Sequence, residues 1–346
     1  MRKDQTFGLD IESTAVKAVQ LRRTDDGYEL ISAARVPCPR PTGQAEEITL
    51  DEAAQTIGEC LRASRIRSRL AVSGVSGEYA QIHPIQFPHL SEEEYQQAVQ
   101  LEAEQVSPID SSDCVVVHDR WAGASDQVED EGAGIMVTAS RQASQRICSA
   151  IESAGLRCTM LDVDALAILN CYTETHRVSD ESRVALLYLA EHHVHMIVLD
   201  GAALPFFRDF PYGSQEILKE MAQEAEDSPE ALREFLFRDG TVAEQGVNLT
   251  FSLARASHQL VSDVMETLRF YYIQHKGSDI EHLYVCGEFA MVNNFVPMLD
   301  AHLPVEVSLW NPLESFKSKM PRETHAQAMH HGPCYVVAAG LAMREL

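Results

Sequence analysis

Phe7-Gly8-Leu9-Asp10-Ile11-Glu12-Ser13-Thr14-Ala15-Val16-Lys17-Ala18-Val19-Gln20-Leu21 is the stretch that decides the fold. It predicts a strand through Ile11, a turn at Glu12, Ser13 and Thr14, and a second strand alternating from Val16 to Leu21. Asp25-Asp26-Gly27 then returns the chain into a third strand, Tyr28 to Val36, since Asp-Gly is a strong hairpin signal. The same pattern comes back at Val184-Ala185-Leu186-Leu187-Tyr188-Leu189-Ala190-Glu191-His192-His193-Val194-His195-Met196-Ile197-Val198-Leu199, again strand, turn, strand. Asp200-Gly201 follows, and a third strand runs through Phe206, Phe207 and Phe210. Aligned without gaps, Asp10 falls on Tyr188, Glu12 on Ala190, Lys17 on His195 and Leu21 on Leu199. A unit repeated at that distance predicts two similar lobes facing one cleft.

Composition narrows the function. At 346 residues and 45% hydrophobic, the chain can build more than one core. Its formal charge of −24 argues against a nucleic-acid partner, because phosphate backbones are bound mainly by Lys and Arg. It argues equally against lying directly on an anionic membrane, and it suits basic partners. No apolar run approaches the ~20 residues that span a bilayer. Met1-Arg2-Lys3-Asp4-Gln5 leads straight into a strand, so no signal peptide is expected. The eight cysteines are scattered without a C-x-x-C pair and read as reduced thiols, many of them buried, in a cytoplasmic protein.

Between the two hairpin units, Pro37 to Gly43 is a turn-rich connector and Asp51 to Ala63 a helix with Ala54, Ile57 and Leu61 on one face. Leu70-Ala71-Val72 is a short buried strand, and Ser73 to Gly77 a crossing point. Residues from Glu78 to Asp130 read as a separate small unit. It has a strand from Tyr79 to Phe87, a helix capped by Ser91 with Glu94 reaching back, and a strand from Cys114 to Trp121. An acidic loop is expected over Ser125 to Gly134, a strand over Ile135 to Ala139 and a helix over Gln142 to Ala154. Leu156 to Val163 is the next strand, and Asp164 is placed to cap a helix through Asn170. In the second half, Gln215 to Ala225 and Pro229 to Phe237 read as helices. Phe251 to His275, without Gly or Pro, reads as one long helix. Strands follow at Ile280 to Val285 and Val305 to Val307, and a final helix at Tyr335 to Arg344 packs back on the first lobe.

Paired hairpins opening two lobes resemble the fold of actin, the sugar kinases and Hsp70. Within that fold the chain resembles the PilM family of type IV pilus assembly proteins, relatives of the cell-division protein FtsA. The resemblance rests on Gly8-Leu9-Asp10-Ile11-Glu12-Ser13-Thr14-Ala15-Val16-Lys17-Ala18-Val19, where the family opens Gly-Ile-Asp-Ile-Gly-Ser-Ser and continues Val-Lys-Ala-Val. It continues through Ser91 to Glu94, Glu102 to Pro108, Ala154-Gly155-Leu156 and Asp162-Val163-Asp164-Ala165-Leu166-Ala167. Arg269 to Tyr272, Asn311-Pro312-Leu313 and Ala339 to Arg344 complete the series, in order, over nearly the whole chain.

What the resemblance implies is an α/β, actin-like (ribonuclease H-like) chain of duplicated lobes around a central cleft, with an inserted α+β subdomain. The first lobe would comprise 1–75, completed by 135–182 and 310–346; the insert 78–130; the second lobe 183–309. The family implies a scaffold in which a groove between the first lobe and the insert holds the cytoplasmic tail of an inner-membrane, PilN-like protein. Coupling to an assembly motor ATPase, self-association and peripheral attachment to the inner membrane through partners belong to the same picture. An active ATPase or kinase of this fold, or a filament former like FtsA, are the alternatives.

Relatives bind ATP, with Mg²⁺, between the lobes, using a D-x-G turn from each. Glycine matters there because a missing side chain lets backbone N–H groups approach the phosphates. Here the first turn keeps Asp10 but has Glu12 for glycine, and Ser13 and Thr14 could donate to a phosphate. A carboxylate ~5 Å from one phosphate charge costs roughly 3 kcal/mol at an effective dielectric of ~20. The second turn has Tyr188 for aspartate and Ala190 for glycine. The adenosine loop, glycine-rich in relatives, is Cys286-Gly287-Glu288-Phe289-Ala290, in which Gly287 remains. Lys17 reads either as a cation aimed at a phosphate or as a surface lysine on an alternating strand. Asp10, Ser13, Thr14, Lys17 and Gly287 are thus the candidate residues of a degenerate ATP site, with no catalytic set, and hydrolysis is not expected.

Glu191-His192-His193-Val194-His195 invites a metal reading, but in a strand only His193 and His195 share a face, and Zn²⁺ sites draw three or four ligands from fixed spacings. No metal site is expected. No nucleophile elbow, P-loop or Rossmann fingerprint appears.

Overall fold

The computed structural model describes residues 5–39, 49–75, 77–87, 90–121, 133–176, 182–201, 203–237, 246–275 and 279–344. The expected acidic loop lies outside these as far as residue 132, and 133 and 134 already belong to a strand. The chain divides into two compact units. One comprises Met1–Ser179, Ala202–Phe206 and Pro312–Leu346; the other comprises Asp180–Gly201 and Phe207–Asn311.

The first unit opens with β1 (Phe7–Ile11), β2 (Ala15–Thr24) and β3 (Gly27–Pro37), an antiparallel meander. Then come α1 (Leu50–Ser64), β4 (Leu70–Val75), β5 (Ala80–Gln86), α2 (Glu92–Val106), β6 (Cys114–Arg120), β7 (Ala133–Ser140), α3 (Arg141–Ser153), β8 (Arg157–Val163) and α4 (Asp164–Thr175). β4 joins β1 in parallel and β8 joins β4 in parallel. Alternation along β1 and β2 sends Phe7, Leu9, Val16 and Ala18 to one face, where Ile57 and Cys60 of α1 and Ile151 of α3 cover them. Thr49 caps α1 through a reciprocal pair with Glu52.

β5, β7 and β6 form a separate three-stranded antiparallel sheet in that order. β7 is its centre, so the insert runs on to Ser140, and the strand expected in the first lobe at 135–139 belongs here. Its alternation fits either sheet, and only long-range pairing with 80–86 and 114–120 decides. Ser91 caps α2 with Glu94 as expected. Tyr95, Val99 and Ala103 of α2 cover Ile85, Met136 and Val116 on one face of this sheet.

The second unit carries β9 (Arg183–Leu189), β10 (Val194–Asp200), β11 (Phe206–Phe210), α5 (Ser214–Ala225), α6 (Pro229–Phe237), α7 (Gly246–Ala256), α8 (His258–Gln274), β12 (His282–Cys286), α9 (Phe295–His302) and β13 (Glu306–Leu309). Its sheet order, β11-β10-β9-β12-β13, repeats β3-β2-β1-β4-β8 strand for strand. The gapless alignment holds at the level of register: Asp10 pairs across with Lys17, and Tyr188 with His195. The single helix expected over 251–275 is two. At Ser257 ψ moves to 3°, away from the helical value near −42°, and the buried serine separates α7 from α8.

The chain ends with β14 (Lys317–Ser318), which extends the first sheet beside β3, then α10 (Arg322–His330) and α11 (Val336–Ala342). α11 packs on β1 and α4 at backbone contact. A Cβ on Gly8 would lie 2.0 Å from the Ala338 oxygen, and one on Gly340 would lie 1.8 Å from the Ala167 oxygen. Asn170 Nδ2 donates to the Gly340 carbonyl at 3.0 Å, and Arg344 Nε meets Asp162 Oδ2 at 2.5 Å. Three of the runs that carried the family resemblance therefore meet here as packing motifs. Asp164 does not cap α4 through its side chain; it is the first residue of that helix, and its side chain is buried.

Candidate functional site

In the first unit the β1–β2 turn is closed by its own backbone. The Glu12 N–H donates to the Ala15 carbonyl at 3.1 Å, and the Thr14 carbonyl accepts from Cys38 N–H at 2.9 Å. The Glu12 amide is therefore committed within the turn. Lys17, on the same face as Asp10, is not a surface lysine: it is 1% exposed. Its ammonium donates to Asp10 Oδ2 at 3.0 Å and to Glu12 Oε2. Asp10 is 3% exposed and Glu12 11%, so Glu12 is the member of the triad closest to solvent.

The electrostatics follow from this burial. Burial holds the Asp10 carboxyl well above the usual carboxylate range; Glu12 and Asp164 push the same way, and Lys17 pulls against them. Burial alone would push the Lys17 ammonium down, but Asp10 and Glu12 more than offset it and hold it above the usual lysine range. Lys17 stays a cation, and Glu12 supplies its solvent-side counter-charge. Asp164, which sequence reasoning treated only as a helix cap, belongs to this cluster; the family-like run from Asp162 to Ala167 was the available signal.

The second unit repeats the turn and changes its chemistry. Ala190 N–H donates to the His193 carbonyl at 3.0 Å, the counterpart of the Glu12–Ala15 bond. In place of the Asp10–Lys17 ion pair, Tyr188 and His195 lie with ring centroids 6.2 Å apart and planes 13° from parallel. His195 Nδ1 meets Asp209 Oδ1 at 2.5 Å. Beside the turn, Arg233 of α6 bridges two carboxylates at 2.9 Å each: Glu191 in the turn and Glu288 in the loop after β12. Neither Arg233 nor this bridge was anticipated, because the partners lie 42 and 55 residues apart with no local pattern. Gly287 has φ +100°, and a Cβ there would lie 2.4 Å from the Leu189 oxygen. That glycine is required for the loop to pass β9.

Of the predicted site residues, the first unit thus brings Asp10 and Lys17 together, with Ser13 and Thr14 in the adjoining turn. Gly287 is a residue of the second unit. A nucleotide phosphate would need free amides and unneutralised cations. At the first turn it would meet a committed amide and a carboxylate already seated on the lysine, so the residues present there do not fit that group. Among the described residues, no group of three or more His, Cys, Asp or Glu is placed to hold a metal ion.

No described helix is long and apolar enough to cross a membrane. The chain is similar to the solved "PilM-PilN type IV pilus biogenesis complex" at 24% identity, covering 99% of both chains with a TM-score of 0.82. It is also similar to the ethanolamine utilization protein EutJ from Carboxydothermus hydrogenoformans, at 11% identity over 97% of this chain and 88% of that one, TM-score 0.55. The duplicated sheets and these likenesses make the fold actin-like α/β, as the hairpin repeat implied. Residues 8–346 match the family described as "Type IV pilus assembly protein PilM", and the chain belongs to that family.

Proposed function

We propose that the protein is a cytoplasmic adaptor of a type IV pilus or related machine that docks the tail of an inner-membrane PilN-like protein and does not turn over ATP. The observation that carries the docking reading is the second face of the inserted sheet. α2 seals one face. On the other, Ile82, Val137 and Val117 form an apolar row across β5, β7 and β6. Val75, Val163, Leu161 and Leu166 pack against its inner end at Ile82 and Val137. Val117, at the outer end on the edge strand β6, is 61% exposed. An apolar row ending on an edge strand suits an extended segment, which can add main-chain hydrogen bonds and seat alternate side chains. A chain of charge −24 suits a tail rich in Lys and Arg, as segments beside membranes are.

The non-hydrolytic reading draws on both turns: Glu12 holds Lys17, and Arg233 is spent on Glu191 and Glu288. The test is fluorescence anisotropy with a labelled tail peptide of a PilN-like protein. Val117→Asp should weaken binding at least ~10-fold with an unchanged melting temperature, and Leu101→Ala on the exposed side of α2 should leave it intact. Equal loss in both variants, or none in Val117→Asp, refutes the docking face. Phosphate release from ATP above background refutes the second half.

A further inference from the structure

The triad at the first turn is asymmetric. Asp10 approaches Lys17 from within the protein, and Glu12 approaches it from the side of solvent. The turn itself needs no acid at position 12: its closing hydrogen bond uses the Glu12 backbone, and the second turn makes the same bond from Ala190. What the Glu12 side chain does is complete the charge of Lys17. The internal repeat supports this. Where the cross-strand position carries Lys17, position 12 of the turn is a glutamate; where it carries His195, the matching position is Ala190, and the neighbouring Glu191 is taken by Arg233. At these two matched positions, acid and lysine are present together or absent together.

We propose that Glu12 is a built-in anion: its carboxylate occupies the place on the Lys17 ammonium that a phosphate-class anion would take, so that the first unit holds a latent anion site occluded by its own turn. Removing Glu12 leaves Lys17 held by Asp10 from behind, still charged and now reachable. The inference deepens the non-hydrolytic reading above and rests on it for its direction, but the two fail separately. ATP turnover by the natural chain would defeat that reading, whereas anion binding compared between the natural chain and its Glu12 variants tests this one.

The experiment is calorimetric titration of inorganic phosphate and of pyrophosphate, with thermal melting alongside at constant ionic strength. It compares the natural protein, Glu12→Gly, and Glu12→Gly combined with Lys17→Met. The natural protein should show no saturable binding. Glu12→Gly should bind on the order of 100-fold more tightly, the upper end of what one freed hydrogen bond to a charged group supplies. The double variant should lose that gain. If Glu12→Gly does not fold, Glu12→Ala carries the same comparison with a Cβ retained. Saturable binding by the natural protein as tight as that of the variant overturns the proposal. So does a cooperatively melting Glu12→Gly or Glu12→Ala that binds neither anion.

Discussion

Lys17→Met is the perturbation that most directly tests how the first unit is held together. The ammonium is 1% exposed and lies 3.0 Å from Asp10, with Glu12 on its other side. At 3.0 Å the Coulomb energy of one such pair is about 5 kcal/mol at an effective dielectric of ~20, much of it offset by the cost of burying both ions. Deleting the cation removes the attraction and leaves the desolvation in place, so the expected loss is ~3–5 kcal/mol. A unit of this size shifts by about 2–4 °C per kcal/mol, giving a melting point lower by roughly 6–20 °C. The pH dependence has a definite sign. Asp10 has a folded pKa above its unfolded value, so its contribution is present in acid and lost as pH rises through the folded pKa. In Lys17→Met the main group pulling that pKa down is gone. The deficit should therefore be largest at alkaline pH and shrink as pH falls through the raised folded pKa of Asp10. Lys17→Met combined with Glu12→Gln should recover about half of the loss, since a single buried carboxyl beside the introduced thioether side chain can stay neutral. Urea denaturation from about pH 4 to pH 9 measures all of this. A loss under ~1 kcal/mol at pH 7, or a double variant no better than the single one, would refute the buried triad.

Gly340→Ala should destabilise the first unit by at least ~1–3 kcal/mol, because a Cβ would stand 1.8 Å from the Ala167 oxygen; the check is thermal melting. Arg233→Met removes the cation that bridges Glu191 and Glu288, both mostly buried, and should cost ~2–3 kcal/mol in the second unit, less in high salt, as read by urea denaturation at two ionic strengths. Tyr188→Asp, which puts at this position the residue that Asp10 supplies in the first turn, should lower the melting point sharply, since it buries a carboxylate at a site 1% exposed; an unchanged melting point would show that the turn tolerates it. Cys60, whose thiol burial pushes up to about 12, should resist alkylation at pH 8 in the native protein and react on unfolding, as mass spectrometry of labelled peptides would show.

The hairpins were legible because a strand of alternating residues advertises itself within a dozen positions, and the repeat at 184–199 could be aligned by pattern alone. That alignment reached the register: both cross-strand pairs, Asp10 with Lys17 and Tyr188 with His195, are as the shift predicts. What was not legible depends on partners far along the chain. Lys17 looked like either a surface residue or a phosphate ligand, because alternation says which face a residue takes but not what covers it. The cover includes the segment around Cys334 and α11, contributed by the other end of the sequence. The strand expected at 135–139 as part of the first lobe lies in the inserted sheet instead, for the same reason. The break at Ser257 has no Gly or Pro to announce it, and both helices read as one apolar stripe.

The two hairpins share backbone hydrogen bonds, register and sheet order, so the repeat is preserved as architecture. They differ in what fills the same cross-strand slot: a lysine held by two carboxylates in the first, a tyrosine and a histidine answered by Asp209 in the second. A buried lysine is tolerable only with full counter-charge, and a buried histidine needs only one acceptor. The first hairpin therefore requires an acid near its turn, and the second can carry alanine there. That asymmetry makes the two turns unequal as targets. A glycine at 12 exposes a charge already present, whereas a glycine at 190 exposes none, because no lysine stands behind it. If Ala190→Gly conferred anion binding equal to that of Glu12→Gly, the lysine would not be the source of the site, and the buried-cation account of the first turn would fall with it.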